Sequence, residues 1–225
     1  NLDRRFDEWR SAGLTHLNVS IDSLDRERFA AITGHDRLGQ VLRGVDRALE
    51  DSSAKVKVNG VLLRSAVGQG FDAFADYVRD RPVAVRFIEL MRTGENAAYF
   101  DREHVPGEVL RRWLGERGWT PRPRAADDGP ATEYGHPDYR GRIGLIAPYA
   151  PGFCDSCNRL RLTSTGQLRL CLFGELGVNL RDLLTGRDDP RLDERILKAL
   201  GEKPAGHRLA QALSGDTRNL AQFGG

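Results

Sequence analysis

The sequence predicts an α/β protein in which parallel βαβ units are followed by a smaller α+β domain. Segments with the alternation of a strand take turns with helical segments through the first 91 residues, which is typical of parallel strands joined by helices. Beyond residue 91 the pattern changes to loops, short helices and a hairpin. The composition, 40% hydrophobic and 29% charged, is that of an ordinary globular chain with a real core.

Each element follows from the spacing of its apolar residues. Helices are predicted over residues 3–12, from an N-cap at Ser23 onward, and over 38–50, 71–80, 106–117, 179–185 and 190–200. Strands are predicted over residues 16–22, 55–63, 83–91 and 142–147, and residues 121–142 are predicted to be a loop. We place the domain boundary between residues 92 and 105, which gives domains 1–95 and 96–225.

Charge and cysteine content exclude several classes of protein. The net charge of +2 favours neither nucleic-acid binding nor an acidic tail. No apolar run reaches the ~18 residues of a membrane span, and the opening residues lack the apolar segment of a secretory signal. The three cysteines are clustered rather than paired as in a disulfide framework. We therefore expect a cytoplasmic protein that binds neither membrane nor nucleic acid.

Polar side chains share one face of the first three predicted strands. Because side chains alternate along a strand, Asn18 and Ser20 lie opposite Leu17 and Val19. If the apolar faces meet the helices, the polar faces look into a barrel lumen, and Arg86 lies on the helix side. The residues predicted for the lumen are Asn18, Ser20, Asp22, Lys57, Asn59, Glu89 and Met91. A cavity of this kind suits a polar, anionic ligand; the alternative is the solvent face of an open sheet.

The strongest motif is Cys154-x-x-Cys157 followed by thirteen residues and then Cys171. Residues 158–163 and 167–173 each alternate and flank a Ser-Thr-Gly turn, which predicts a β-hairpin that returns Cys171 to the Cys-x-x-Cys segment. The hairpin face that carries Cys171 also gathers three guanidinium groups, from Arg159, Arg161 and Arg169. These charges could serve a phosphate-bearing ligand or form a solvated basic face.

Three cysteines suit an iron–sulfur cluster with one iron free of thiolate, or a zinc site completed by another residue. The five histidines are scattered, and none lies at motif spacing from the cysteines. This absence favours the cluster. Three free thiols without a metal are the remaining alternative.

These residues resemble a known family. Phe153-Cys154-x-x-Cys157-Asn158-Arg159-x-Arg161-Leu162-Thr163, followed by Gly166 and Cys171-Leu172-Phe173, is similar to the C-terminal cluster motif of the GTP 3′,8-cyclases. These are radical S-adenosylmethionine enzymes that begin molybdenum cofactor biosynthesis. Further similar segments are residues 17–25, 56–59, 86–89, 129–131 and the terminal Gly224-Gly225. The resemblance covers essentially the whole chain.

The resemblance implies a fold and a reaction. The fold is the C-terminal half of a radical S-adenosylmethionine (β/α) barrel, followed by a smaller cluster-binding domain. The reaction converts GTP into (8S)-3′,8-cyclo-7,8-dihydroguanosine 5′-triphosphate through a radical derived from S-adenosylmethionine. The family also implies a homodimer, and cyclic pyranopterin monophosphate synthase as the downstream pathway partner.

The resemblance also assigns roles to residues. Cys154, Cys157 and Cys171 would hold a [4Fe–4S] cluster whose free iron contacts the purine of GTP. The GTP-binding residues implied are Lys57, Arg159, Leu160 and Arg161. Ser20 and Met91 would line the S-adenosylmethionine site, and the catalytic Gly224-Gly225 tail would reach into the site, where the lack of side chains permits close approach.

The chain departs from the family in one major respect. Family members carry a second cluster on an N-terminal Cys-x-x-x-Cys-x-x-Cys, whereas this sequence has no cysteine before Cys154. We interpret the chain as the C-terminal two-thirds of such an enzyme, most simply through a truncated reading frame. The alternatives are a non-catalytic paralogue that binds GTP or a cluster, and a structural domain stabilised by zinc.

Overall fold

The computed structural model describes residues 2–51, 53–123, 129–155, 157–175, 177–185 and 189–220. The helices in these ranges are α1 (Leu2–Ser11), α2 (Arg26–Thr33), α3 (Leu38–Leu49), α4 (Gln69–Arg79), α5 (Ala97–Glu103), α6 (Gly107–Glu116) and α7 (Pro190–Gly201). The strands are β1 (His16–Ser20), β2 (Lys55–Leu62), β3 (Ala84–Glu89), β4 (Thr120–Pro121), β5 (Thr132–Gly135), β6 (Arg142–Ile146), β7 (Arg161–Leu162), β8 (Gln167–Arg169) and β9 (Val178–Asn179).

The contacts within the chain define two compact units. The first comprises Asn1–Leu90 and Glu103–Ala147, and the second comprises Met91–Arg102 and Pro148–Gly225. The boundary predicted from the sequence, between residues 95 and 96, places residues 103–147 in the second domain instead. The difference arises because β6 pairs in parallel with β3 and brings its neighbours into the first sheet.

The first unit is built on a six-stranded sheet in the order β1-β2-β3-β6-β5-β4. The first four strands are parallel, and β5 and β4 continue the sheet antiparallel. Strands β1, β2 and β3 are separated in sequence by helices, which is the arrangement that the alternating patterns predicted. The α/β fold class is confirmed.

The face of the sheet that meets α4 is identified by Phe87 of β3. Its ring lies 5.5 Å from the ring of Phe71 and 5.2 Å from that of Phe74, both on α4, in edge-to-face geometry. All three phenylalanines are buried, and such packing adds to the hydrophobic stabilisation of the unit. Because side chains alternate along a strand, residues two positions from Phe87, such as Glu89, share this helix-facing side of β3.

Local capping differs from the prediction at α2. The sequence predicted Ser23 as the N-cap, but Asp25 fills that position, and its Oδ1 accepts from the Arg28 N–H at 2.8 Å. Ser23 Oγ accepts from the Asp25 N–H instead, at 3.1 Å. Aspartate and serine are both good N-caps, so residue type alone does not distinguish two candidates that are two residues apart.

The helix predicted over residues 179–185 is wrong, because Val178–Asn179 form β9 and Arg181–Leu183 form only a 3-10 turn. Helix α5 and strands β4 and β5 lie where the sequence predicted no element. Helix α5 follows Asn96, whose side-chain Oδ1 accepts from the Thr93 N–H at 2.7 Å. Strand β5 lies in the segment predicted to be a loop and pairs with β6. The Pro, Gly and Asp content that indicated a loop belongs to its flanks.

The second unit contains a three-stranded antiparallel sheet in the order β7-β8-β9. The predicted hairpin is confirmed, with Arg161 opposite Arg169 and Leu162 opposite Leu168, although its strands are shorter than the alternating pattern. Leu168 packs in a small core with Leu180 and with Ala199 of α7. This core fixes the hairpin against α7.

Over the described ranges, the longest helices have 12 residues, and none is long and apolar enough to cross a membrane.

Candidate functional site

The Cys-x-x-Cys segment of the second unit is a turn. The Cys157 N–H donates to the Cys154 carbonyl at 3.0 Å, and the Asp155 N–H donates to the Gly152 carbonyl at 3.1 Å. Gly152 has a φ of +75°, a value that glycine adopts without a steric penalty. All three cysteines of the chain are free thiols; Cys157 is exposed, and Cys154 and Cys171 are half-buried.

The hairpin places Arg161 beside two of these thiols. Burial lowers the pKa of the Arg161 guanidinium from its usual value, and repulsion from Arg159 lowers it further. Cys157 and Cys171 act in the opposite direction, because their negative charge, when ionised, favours the guanidinium cation. The hairpin register supplies the geometry, because Arg161 is opposite Arg169, which precedes Cys171 by two residues.

The donor set is suited to an iron–sulfur cluster, because soft thiolate ligands favour such clusters. In the described part of the chain, however, no three His, Cys, Asp or Glu side chains lie close enough to share one metal ion. A cluster on these residues would therefore require the three sulfurs to lie closer together than they do in this structure.

Arg169 shares the hairpin face of Arg161, as the alternating pattern predicted, but its charge is already paired. It is directly opposite Arg161 in the hairpin. Its guanidinium forms a bidentate ion pair with the Asp216 carboxylate, in which Nη1 lies 2.8 Å from Oδ2 and Nη2 contacts Oδ1. Arg169 is buried, and its Nη2 also donates to the Gly174 carbonyl at 3.0 Å. The charge of Arg169 is therefore neutralised within the second unit by Asp216.

The polar face of the first unit carries an arginine that was predicted for the helix side. Arg86 of β3 donates from Nε to Asn59 Oδ1 at 2.9 Å and from Nη2 to Asn18 Oδ1 at 2.7 Å. It therefore shares the face of the predicted lumen residues and is not on the helix side. Three adjacent strands contribute to this hydrogen-bond network, in which Arg86 is buried, Asn59 is half-buried and Asn18 is exposed. The register that pairs Asn59 with Arg86 could not be read from one strand alone.

The prediction for Glu89 is also wrong, but in the opposite direction. This residue was predicted for the lumen, but it lies on the helix side with Phe87, is 2% exposed, and has its Oε1 3.0 Å from His104 Nε2. Asp22, also predicted for the lumen, accepts from the Val61 N–H at 2.8 Å and so joins the ends of β1 and β2.

The remaining predicted site residues are placed as follows. Ser20 lies opposite Asn59, and Lys57 lies opposite Asn18, so both share the polar sheet face. Met91 comes two residues after the end of β3 and belongs to the second unit. Its carbonyl accepts a hydrogen bond from Asn96 Nδ2 at 2.9 Å. Leu160 is exposed next to β7. Gly224 and Gly225 lie outside the described residues.

Comparison with known proteins gives a consistent result. A family model described as Molybdenum Cofactor Synthesis C matches residues 83–209. Over all 225 residues the chain is 55% identical to GTP 3′,8-cyclase of Stenotrophomonas maltophilia (strain R551-3). It is 54% identical to the protein of the same name from strain K279a. In both cases the match covers 100% of this chain and 69% of the relative.

Proposed function

Because the chain belongs to the GTP 3′,8-cyclase family, whose role is in molybdenum cofactor synthesis, we propose that it holds a [4Fe–4S] cluster and binds GTP beside it. In this proposal Cys154, Cys157 and Cys171 are the cluster ligands. The family resemblance also assigns GTP binding to Arg159, Arg161 and the Leu160 backbone of the second unit, and to Lys57 of the first unit.

The observation that carries the proposal is the shared environment of Arg161, Cys157 and Cys171. Arg161 lies opposite Arg169, which precedes Cys171 by two residues, and Arg161 follows Cys157 by four residues, so a ligand at these thiols would also meet a guanidinium group. Since Arg161 is half-buried, its charge is incompletely screened by water and is better able to attract an anion. A second guanidinium, from Arg159, repels it, and an anionic ligand would relieve that repulsion.

The cluster would supply an iron without a thiolate ligand, which offers a coordination position to the guanine base. The side chains of this chain would supply the charge and the orientation. The planar guanidinium group of arginine can donate two parallel hydrogen bonds to a phosphate, whereas the ammonium group of lysine acts as a point charge. Arg159 and Arg161 would therefore orient GTP, and Lys57 would neutralise its phosphates.

The other family features are part of the proposal. Ser20 and Met91 would contact S-adenosylmethionine, and the Gly224-Gly225 tail would approach the reacting atoms. The half-barrel architecture, the homodimer, the cytoplasmic location and the downstream synthase stand as family implications. The 225 residues hold no cysteine besides the three of the C-terminal motif. We therefore expect this chain to bind a cluster and GTP without cleaving S-adenosylmethionine by itself.

Replacing Arg161 by glutamine tests the GTP site. A hydrogen bond to a charged group contributes about 1.5–3 kcal/mol, so we expect R161Q to weaken GTP binding by about 10- to 150-fold. The measurement is titration of the anaerobically reconstituted chain with GTP, followed through the electron paramagnetic resonance signal of the cluster. R191Q is the matched control, because Arg191 is exposed on α7 and pairs with Asp189. Equal GTP affinity in R161Q and the wild type would contradict the assignment.

A further inference from the structure

A lysine outside the cysteine motif contacts the segment that carries Cys157. Lys203 Nζ donates to the Cys157 carbonyl at 2.8 Å and to the Arg159 carbonyl at 3.3 Å. The same nitrogen lies 3.9 Å from Cys157 Sγ. One ammonium group thus joins the end of the Cys-x-x-Cys turn to the segment that enters β7, where the backbone has no regular secondary structure.

The position of Lys203 is set by helix α7. The Glu202 N–H donates to the Ala199 carbonyl at 3.0 Å, and the Lys203 N–H donates to the Leu200 carbonyl at 3.2 Å, which closes the last turn of the helix. Ala199 is in the core beneath the hairpin. The backbone of Lys203 is therefore fixed, and a cation at a helix C-terminus is favourable in its own right.

The residues that follow contact the rest of the motif. A methyl group at Gly206 would lie 3.3 Å from Cys154 Cβ and 3.4 Å from its Sγ, so this segment passes directly over the first thiol. The His207 ring lies 6.3 Å from the ring of Phe153 and 5.7 Å from that of Phe173. Phe153 precedes Cys154, and Phe173 follows Cys171 by two residues. The segment 203–207 therefore contacts all three cysteine-bearing stretches.

We propose that Lys203 is a positioning residue of the cluster site, which holds Cys157 in place and directs an N–H group toward its sulfur. This inference rests on the proposed cluster. A cluster on three thiolates is negatively charged, and an adjacent ammonium offsets part of that charge. Hydrogen bonds and charge next to the sulfurs set the reduction potential of such clusters, and groups behind the ligands govern metal affinity.

The test compares K203M, K203R and the control K198M in the full chain after anaerobic reconstitution with iron and sulfide. Lys198 is in the last turn of the same helix and is exposed, so K198M removes an equal charge away from the thiols. We expect K203M to lose iron to a chelator about 10-fold faster than the wild type. We also expect its cluster to have a more negative midpoint potential, K203R to recover both properties in part, and K198M to match the wild type.

The outcomes separate this inference from the proposed function. If the wild type takes up no iron, the proposed function fails, and this inference fails with it. If the wild type loads normally and K203M has the same chelator resistance and midpoint potential, only the role of Lys203 is overturned. Thermal denaturation of the proteins without iron distinguishes a folding defect from lost positioning, since a folding defect would lower the melting temperature of K203M before reconstitution.

Discussion

Replacing Cys171 by serine is expected to reduce the iron content of the reconstituted chain from about four atoms to a background level. Cys171 is the single thiol that the hairpin returns to the Cys-x-x-Cys turn, and a serine oxygen is a poor ligand for iron in a cluster. With two thiolates left, the remaining irons would be open to solvent. The measurement is iron and acid-labile sulfide per chain after anaerobic desalting.

The control for this variant is S164A, because Ser164 is exposed in the turn of the same hairpin. S164A should retain the iron content of the wild type. Because Cys171 is only half-buried, the serine variant should fold normally without iron, with a free energy of unfolding within about 1 kcal/mol of the wild type. Full iron and sulfide in C171S would remove Cys171 from the ligand set.

The second prediction concerns stability: replacing Asp216 by alanine is expected to lower the free energy of unfolding. Its carboxylate binds buried Arg169 through both oxygens, and its N–H donates to the Gly174 carbonyl at 3.4 Å. Removing one partner of a buried ion pair typically costs 3–5 kcal/mol. Since the Asp216 side chain is 33% exposed, we expect D216A to lose about 2–3 kcal/mol of unfolding free energy. Urea denaturation of the protein without iron measures this loss.

The pH dependence provides an independent check on the same pair. The hydrogen bond from Arg169 lowers the pKa of Asp216 below its usual value. The stabilisation is therefore present above the unfolded-state pKa of about 3.9 and is lost as the pH falls through the folded-state pKa. The difference between the wild type and D216A should accordingly shrink in acid. D193A, which removes an exposed carboxylate from α7, should show no such difference.

A double variant separates charge from packing. In R169M/D216A both charges are gone, so part of the stability lost in D216A should return. If D216A unfolds at the same urea concentration as the wild type, the ion pair contributes nothing to the second unit. This result would leave the hairpin core of Leu168, Leu180 and Ala199 as the main source of stability there.

Much of the fold could be predicted because it depends on local patterns. The alternation around Val58 and the helical spacing of α3 specify elements whose apolar sides must be buried, and the structure places them as expected. The hairpin could be predicted for the same reason, from alternation on both sides of a turn at Gly166, which has a φ of +80°.

Other features depend on partners far away in sequence. Alternation correctly puts Arg86 and Glu89 on opposite sides of β3 but does not say which side meets the helices. The choice is made by Phe87, which packs on α4, and by the two asparagines that satisfy Arg86. A buried polar group costs little once it is hydrogen-bonded, so hydrophobicity alone gives the wrong face.

The site shows the same limit. The three cysteines and the adjacent arginines were visible as a motif, because their chemistry depends on spacing along the chain. Lys203 is 46 residues from Cys157, and Asp216 is 47 residues from Arg169. No local pattern marks either contact, since each is created by the packing of α7 or of the C-terminal segment against the hairpin.

The central claim is that the three thiols hold an iron–sulfur cluster beside a nucleotide. The most direct measurement is metal analysis of the anaerobically reconstituted chain, with electron paramagnetic resonance of the reduced protein before and after addition of GTP. The account predicts about four iron atoms per chain and a signal that GTP changes. A colourless protein with about one zinc ion per chain, or an iron signal that GTP leaves unchanged, would contradict it.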